Sequence, residues 1–168
     1  MTASETEVLE IVPATEAAVP MVLAMLDEAS DWLARKGFAQ WQAGTFNEAR
    51  IARSARAGEV YLAKLDGVVV GTMTLSWSNA MTWGDFTNEG AYVSRLTVKR
   101  SAAGRNIGKK MLDWAEQQAR EKGRKFLRLD CGNDNERLIC YYDKAGFQRV
   151  GHANIGEWTA CLFEKPLV

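Results

Sequence analysis

Apolar positions in this chain switch between a period of two and a period near 3.6, and the switches mark out its elements. Val8, Leu9, Ile11 and Val12 read as a first strand. Val22, Met25, Leu26, Ala29, Trp32 and Leu33 then recur at helical spacing and predict a helix with one buried face. Thr15 with Glu16 gives an N-cap signal, Pro20 suits a first turn, and Gly37 closes the helix. A loop leads to a short second helix over 47–57. Two β-rich runs, 60–65 and 68–75, flank Asp66-Gly67, a hairpin signature.

Residues 78–90 carry no clear period and read as a loop. Tyr92 to Val98 predict the next strand. Residues 106–122 predict a helix with Ile107, Met111, Leu112, Ala115 and Ala119 on one face and Gly123 as its stop. Residues 126–130 read as a strand, 135–145 as a helix stopped by Gly146, and 147–151 with 158–164 as a closing hairpin. Hairpins and helical crossovers alternate in this order. The expected architecture is therefore α/β (α+β): a mixed, mostly antiparallel central sheet flanked by helices on both faces. No linker or repeat divides residues 1–168, so a single domain is expected, with 1–6 as a loose tail.

Composition narrows the class without naming a function. At 168 residues, 47% hydrophobic and 25% charged, the chain is long enough to bury a core. Lys+Arg and Asp+Glu both number 21, so net charge gives no support for nucleic-acid binding. The single histidine, His152, and three cysteines without a C-x-x-C pair leave no metal site to expect. Cys131, Cys140 and Cys161 are expected to be reduced, buried and packing. The N-terminus lacks a basic and then apolar signal, and the longest apolar run is broken by Pro20. A cytoplasmic protein that does not enter the membrane is expected.

The stretch from Val93 to Gly123 holds the clearest chemistry. A strand runs into a glycine turn that opens a helix, and a helix N-terminus offers amide N–H groups and partial positive charge to an anion. A Walker loop is excluded, because three residues rather than four separate Gly104 from Gly108, and Lys110 follows Lys109. The dinucleotide fingerprint G-x-G-x-x-G is absent too. Lys99, Arg100, Arg105, Lys109 and Lys110 gather here with no acid. Cations at a helix start oppose its dipole, so an anion is the natural occupant.

Two motifs then resemble the GCN5-related N-acetyltransferase (GNAT) superfamily, over nearly the whole chain. The family's Q/R-x-x-G-x-G/A turn corresponds to Ala103-Gly104-Arg105-Asn106-Ile107-Gly108 after the strand end Leu96-Thr97-Val98. Its N…Y-x-x-x-G-F pattern corresponds to Asn135 and Tyr142-Asp143-Lys144-Ala145-Gly146-Phe147. Ala103 and Asn106 depart from the usual residues; Asn106 tolerates the left-handed backbone better than most. The resemblance implies acetyl-CoA as acyl donor. Leu96 and Val98 would then meet its pantetheine arm through backbone groups. Ala103, Gly104, Arg105, Asn106, Ile107 and Gly108 would form its pyrophosphate turn. Lys99, Arg100 or Lys109 would approach its 3′-phosphate, and Asn135 the pantetheine arm, with an N-cap as that residue's other role.

Acetyl transfer to an amine needs a base, donors for an oxyanion, and an acid for the departing thiolate. A thiol ionises near ~8.5 and tyrosine near ~10, so a tyrosine keeps its proton until the thiolate forms. Tyr142 matches the family's tyrosine in that role; packing beside Phe147 is its structural alternative, and Tyr141 is expected to pack. Glu89 and Asp85 are the candidate bases, with Ser94 positioning a water; a water chain with no dedicated base is the alternative, and His152 is expected to be structural. Gln40, Trp41, Trp83, Tyr92 and Ser94 are the candidate acceptor-binding residues. Acidic and aromatic groups there suit a cationic amine. Trp32, Trp77 and Trp158 are expected in the core. The expected partner is a small-molecule amine, a homodimer is compatible with the resemblance, and nucleic acid enters only if the donor is tRNA-bound. A different acyl donor and a non-catalytic CoA-binding sensor are the competing readings.

Overall fold

Val60–Leu65 (β2) and Val68–Ser76 (β3) form the hairpin that Asp66-Gly67 announces. Both turn residues have positive φ, 49° and 82°, as a two-residue turn matched to strand twist requires. Around this hairpin, the computed structural model describes residues 7–38, 46–84, 89–155 and 158–167. Leu9–Pro13 (β1) pairs with β2 at one edge. Val19–Arg35 (α1) and Glu48–Arg56 (α2) lie between them in sequence. After β3 come the short Ala80–Trp83 (α3), Gly90–Val98 (β4), Ile107–Glu121 (α4) and Phe126–Gly132 (β5). Glu136–Lys144 (α5), Gln148–Ile155 (β6) and Trp158–Pro166 (β7) complete the order.

The described strands form one seven-stranded sheet in the order β1-β2-β3-β4-β5-β7-β6. Every pairing is antiparallel except β4 with β5, whose parallel connection is made by α4. Two apolar clusters cover the sheet. One joins Met73, Leu75, Leu127 and Phe163 to Met111 of α4; the other joins Leu62 and Val60 to Leu26 of α1 and Ile51 of α2. The expected mixed, mostly antiparallel sheet with helices on both faces is the observed one. No helix of the described residues is long and apolar enough to cross a membrane.

Helix faces follow their periods. α4 buries the five residues its sequence singles out, Ile107, Met111, Leu112, Ala115 and Ala119. Helix α1 departs from expectation at two positions. Val19, Val22, Met25, Leu26, Ser30 and Leu33 are buried, whereas Ala29 and Trp32 face a cavity. Thr15 makes no side-chain cap; a 3₁₀ turn over Glu16–Ala18 intervenes, and Pro20 sits in the first turn of α1. The stretch read as a loop contains α3, where the Asn79 side chain accepts a bond from the Thr82 amide at 3.2 Å. Cys131 and Cys161 are free and buried, but Cys140 is exposed on α5, contrary to expectation. Trp77 is half-buried beneath the Lys122 and Arg124 cations rather than sealed in the core.

Candidate active site

Strand β4 is paired to β5 only at Gly90, Ala91 and Tyr92, opposite Phe126, Leu127 and Arg128. Beyond Tyr92 the strands part, so the β5-facing edge of β4 from Val93 onward is left without a strand partner. On its other side β4 carries a bulge. Thr72 faces Thr97 and Thr74 faces Ser94, so Arg95 and Leu96 together oppose Met73. Arg95 reaches a left-handed φ of 51° to do so. The parted strands open a cavity of about 790 Å³. Its walls are β4 from Val93 to Val98, Leu129 and Asp130 of β5, one face of α1, the turn before α4, and α5.

The turn is built to present amides. Ala103 is extended, Gly104 has φ 82° and Asn106 has φ 57°, a conformation that asparagine tolerates. Asn106 is the N-cap of α4, yet its side chain makes no capping bond. The first bonded amide is that of Lys110, which donates to the Asn106 carbonyl at 3.1 Å. Among the described residues, the amides from Gly104 to Lys109 donate to no protein acceptor. Six consecutive unbonded donors at a helix N-terminus have the chemistry that an anion satisfies.

Side chains around the turn divide into two groups. Arg105 pairs with Glu7 and Lys109 with Asp113, both at 3.0 Å and exposed, and neither residue lines the cavity. Lys99, Arg100, Arg137 and Lys144 border the cavity. The Arg100 guanidinium lies 4.2 Å over the ring of Trp32, which borders the cavity instead of entering the core.

Helix α5 supplies the inner wall. Asn135 is buried and its side chain accepts from the Leu138 amide at 3.2 Å, so it caps α5 while bordering the cavity. Tyr142 is 7% exposed, packed edge-on to Phe147 and tilted against Phe163, and it also borders the cavity. Burial pushes its phenol well above the ordinary tyrosine range, and the charges of Cys131, Tyr141 and Asp130 add to this. Tyr141 is exposed at the cavity rim and not packed away. Asp130 borders the same space, and burial raises its carboxyl to about 6.

Ser94, Leu96 and Val98 border the cavity as well. Five other expected residues do not: Arg105 and Lys109 of the turn, and Glu89, Trp83 and Tyr92. Glu89 sits at the opposite end of β4, where its carboxylate pairs with Lys125 at 3.1 Å and its carbonyl accepts from Lys125 and Phe126. Trp83 and Tyr92 are buried, and Arg128 lies 5.1 and 5.8 Å over their rings, so the protein's own cation occupies their faces. Gln40, Trp41 and Asp85 fall outside the described residues. His152 bonds Asn133 at 2.9 Å on β6. Among the cavity residues that the sequence did not single out are Asp130, Arg95 and Arg137. Asp130 lies two residues beyond the last parallel pair of β4 and β5, near the carboxyl end of β5, where ligand crevices open.

With this geometry in place, likeness to known proteins is informative. The model of the acetyltransferase (GNAT) family matches residues 26–147. The uncharacterized N-acetyltransferase YesJ of Bacillus subtilis (strain 168) is 27% identical over 162 residues, covering 92% of this chain and 88% of its own length. A GNAT-family acetyltransferase structure from Listeria monocytogenes 4b F2365 superposes with a TM-score of 0.78 at 24% identity, over 96% of this chain and 99% of that one. The structure of YncA from Salmonella typhimurium, solved with its cofactor acetyl-CoA, superposes with a TM-score of 0.71 at 19% identity, over 96% and 95% of the two chains.

Proposed function

This chain belongs to the acetyltransferase (GNAT) family, and from that premise we propose that it transfers an acetyl group from acetyl-CoA to a primary amine of a small molecule, by direct attack in a ternary complex. The observation that carries the proposal is the row of unbonded amides from Gly104 to Lys109, in a turn whose Gly104, Asn106, Ile107 and Gly108 line the same cavity as Tyr142. Acetyl-CoA combines a pyrophosphate at one end with a reactive thioester at the other. The cavity has the two matching ends.

The fit is chemical as well as spatial. The Gly104–Gly108 turn and the positive end of α4 receive a pyrophosphate. Lys99 and Arg100 at the rim suit a further phosphate. The unpaired edge of β4 from Val93 to Val98 offers main-chain donors and acceptors to the two amides of a pantetheine arm. Asn135 stands across from that edge on α5.

Bound acetyl-CoA supplies a thioester carbonyl, to which the amine nitrogen bonds as the carbon–sulfur bond breaks. Asp130 takes the proton that the ammonium must lose, directly or through a water. Its carboxyl, at about 6, is ionised at neutral pH and still basic enough to share that proton. Tyr142 gives its phenolic proton to the departing sulfur, and its raised pKa keeps that proton in place beforehand. Backbone amides at the bulge of Arg95 and Leu96, out of the β3 register, supply hydrogen bonds to the carbonyl oxygen. Asp130 replaces Glu89 in this reading, because Glu89 is engaged at the far end of β4.

Thermal denaturation with CoA, acetyl-CoA and a matched nucleotide without the pantetheine arm tests the donor. A rise in Tm with both CoA species, and a smaller one with the nucleotide, is expected. No response to any CoA species would remove both this reading and the sensor reading.

A further inference from the structure

Arg95 is the unusual cation of the cavity. It occupies a left-handed backbone conformation, φ 51°, at the bulge where β4 escapes the β3 register. Such a conformation costs a non-glycine side chain energy and persists at functional positions when the surroundings enforce it. Its side chain is half-buried and borders the cavity. Burial lowers its pKa, and repulsion from Arg50 on α2 lowers it further.

Several of the described arginines find carboxylates, while others, such as Arg35 and Arg53, are exposed to solvent. Arg56 pairs with Glu16, Arg105 with Glu7, Arg120 with Glu116 and Arg128 with Glu164. Arg95 makes no ion pair or hydrogen bond among the described residues. The two acids on the cavity walls do not serve it: Glu28 is exposed on α1, and Asp130 shows only the upward shift of burial, with no lowering by a nearby cation. A partly desolvated guanidinium facing a second arginine is unfavourable without an anion.

That anion does not come from the phosphates held by the turn. Strand rise places Arg95 about 10 Å before Val98, the end of β4, and the turn lies beyond that. Arg95 therefore stands toward the reacting end, in a cavity that α1 also borders, while Arg50 is exposed on α2 outside the lining and close enough for its charge to act on Arg95.

Resting on the acetyl-transfer reading, we propose that Arg95, supported by Arg50, binds an anionic group of the acceptor, so that the substrate class is a primary amine that also carries a carboxylate or phosphate. Planar guanidinium recognises either group through paired hydrogen bonds. The anion neutralises the two arginines while the amine is left near Asp130.

The test compares matched amines with acetyl-CoA: phenylalanine against phenethylamine, 4-aminobutyrate against butylamine, and phosphoethanolamine against ethanolamine. The wild-type protein is expected to favour at least one anionic member by tenfold or more in kcat/KM, and the favoured pair distinguishes carboxylate from phosphate. Arg95→Asn, which tolerates the left-handed backbone, should remove that preference: the ratio of kcat/KM between the anionic and the neutral member should fall by tenfold or more, through a raised KM for the anionic amine. Arg95→Lys should restore part of it. Calorimetric titration of the same amines into the CoA-bound protein gives a readout independent of turnover, and binding of the anionic member should weaken tenfold in Arg95→Asn. Preference for the neutral amines, or equal loss for both members of a pair, overturns the proposal. Absence of turnover with retained Arg95-dependent anion binding would instead count against acetyl transfer.

Discussion

Arg128 donates to the Tyr92 hydroxyl at 3.0 Å at the last position where β4 and β5 are paired. The same guanidinium donates to Glu164 on β7 at 2.7 Å and lies over the Trp83 ring. Three strands and α3 are thus fastened at one point, immediately before the sheet opens into the cavity. Closed below and parted above, the sheet makes a wedge whose width is fixed by this clamp.

Removing the clamp should cost stability and not cofactor affinity. Arg128→Met leaves Glu164 without its partner at a site where both side chains are largely buried, 9% and 19% exposed. A loss of about 3 kcal/mol in chemical denaturation is expected, with CoA affinity changed less than twofold. An unchanged denaturation midpoint would show that the pair is incidental.

Tyr142→Phe isolates the phenolic proton. The ring keeps its packing against Phe147 and Phe163, so the melting temperature should hold. Turnover should fall by about 100-fold with CoA affinity preserved. Equal turnover in the variant assigns Tyr142 to packing alone.

Asp130 links activity and stability to pH. Its folded pKa, about 6, lies above its ordinary 3.8. Below pH 3.8 both folded and unfolded chains hold the proton. Between 3.8 and 6 only the folded chain does, so its stabilising effect is lost as pH rises through that window and is gone above 6. The loss is on the order of 3 kcal/mol. Asp130→Asn should flatten the stability profile across this window. Activity of the wild type should rise with pH through about 6, and the variant should be slower by roughly 100-fold at neutral pH. A rise with the same midpoint in Asp130→Asn would assign the base elsewhere.

The turn itself is tested at Asn106, whose φ of 57° suits asparagine and opposes a β-branched side chain. Asn106→Val should cost about 1–2 kcal/mol in stability and weaken CoA binding by tenfold or more. Retained CoA affinity with a lowered Tm would separate the turn from the cofactor site.

Much of this could be read before any coordinates. The buried face of α4 follows from one helical period, and Asp66-Gly67 and Asn106 reveal their left-handed backbones through residue type. Asn135 and Tyr142 were legible through the family pattern. What escaped is what depends on a partner strand. Val93 to Val98 reads as continuous strand, because a bulge at Arg95 appears only when Thr72 and Thr74 are set opposite Thr97 and Ser94. Periodicity likewise cannot tell Trp32 facing a cavity from Leu33 facing the core. Asp130 looked like an ordinary strand end until the parting of β4 and β5 placed it beside Tyr142. Glu89 looked available until Lys125, 36 residues away, came to meet it.

The most direct measurement follows free thiol released from acetyl-CoA in the presence of amines, with mass spectrometry of the amine. Thiol release that requires the amine, matched by an amine heavier by one acetyl group, is the predicted result. CoA binding without amine-dependent thiol release, across carboxylate-bearing, phosphate-bearing and neutral primary amines, would contradict acetyl transfer and leave a CoA-binding protein that does no chemistry.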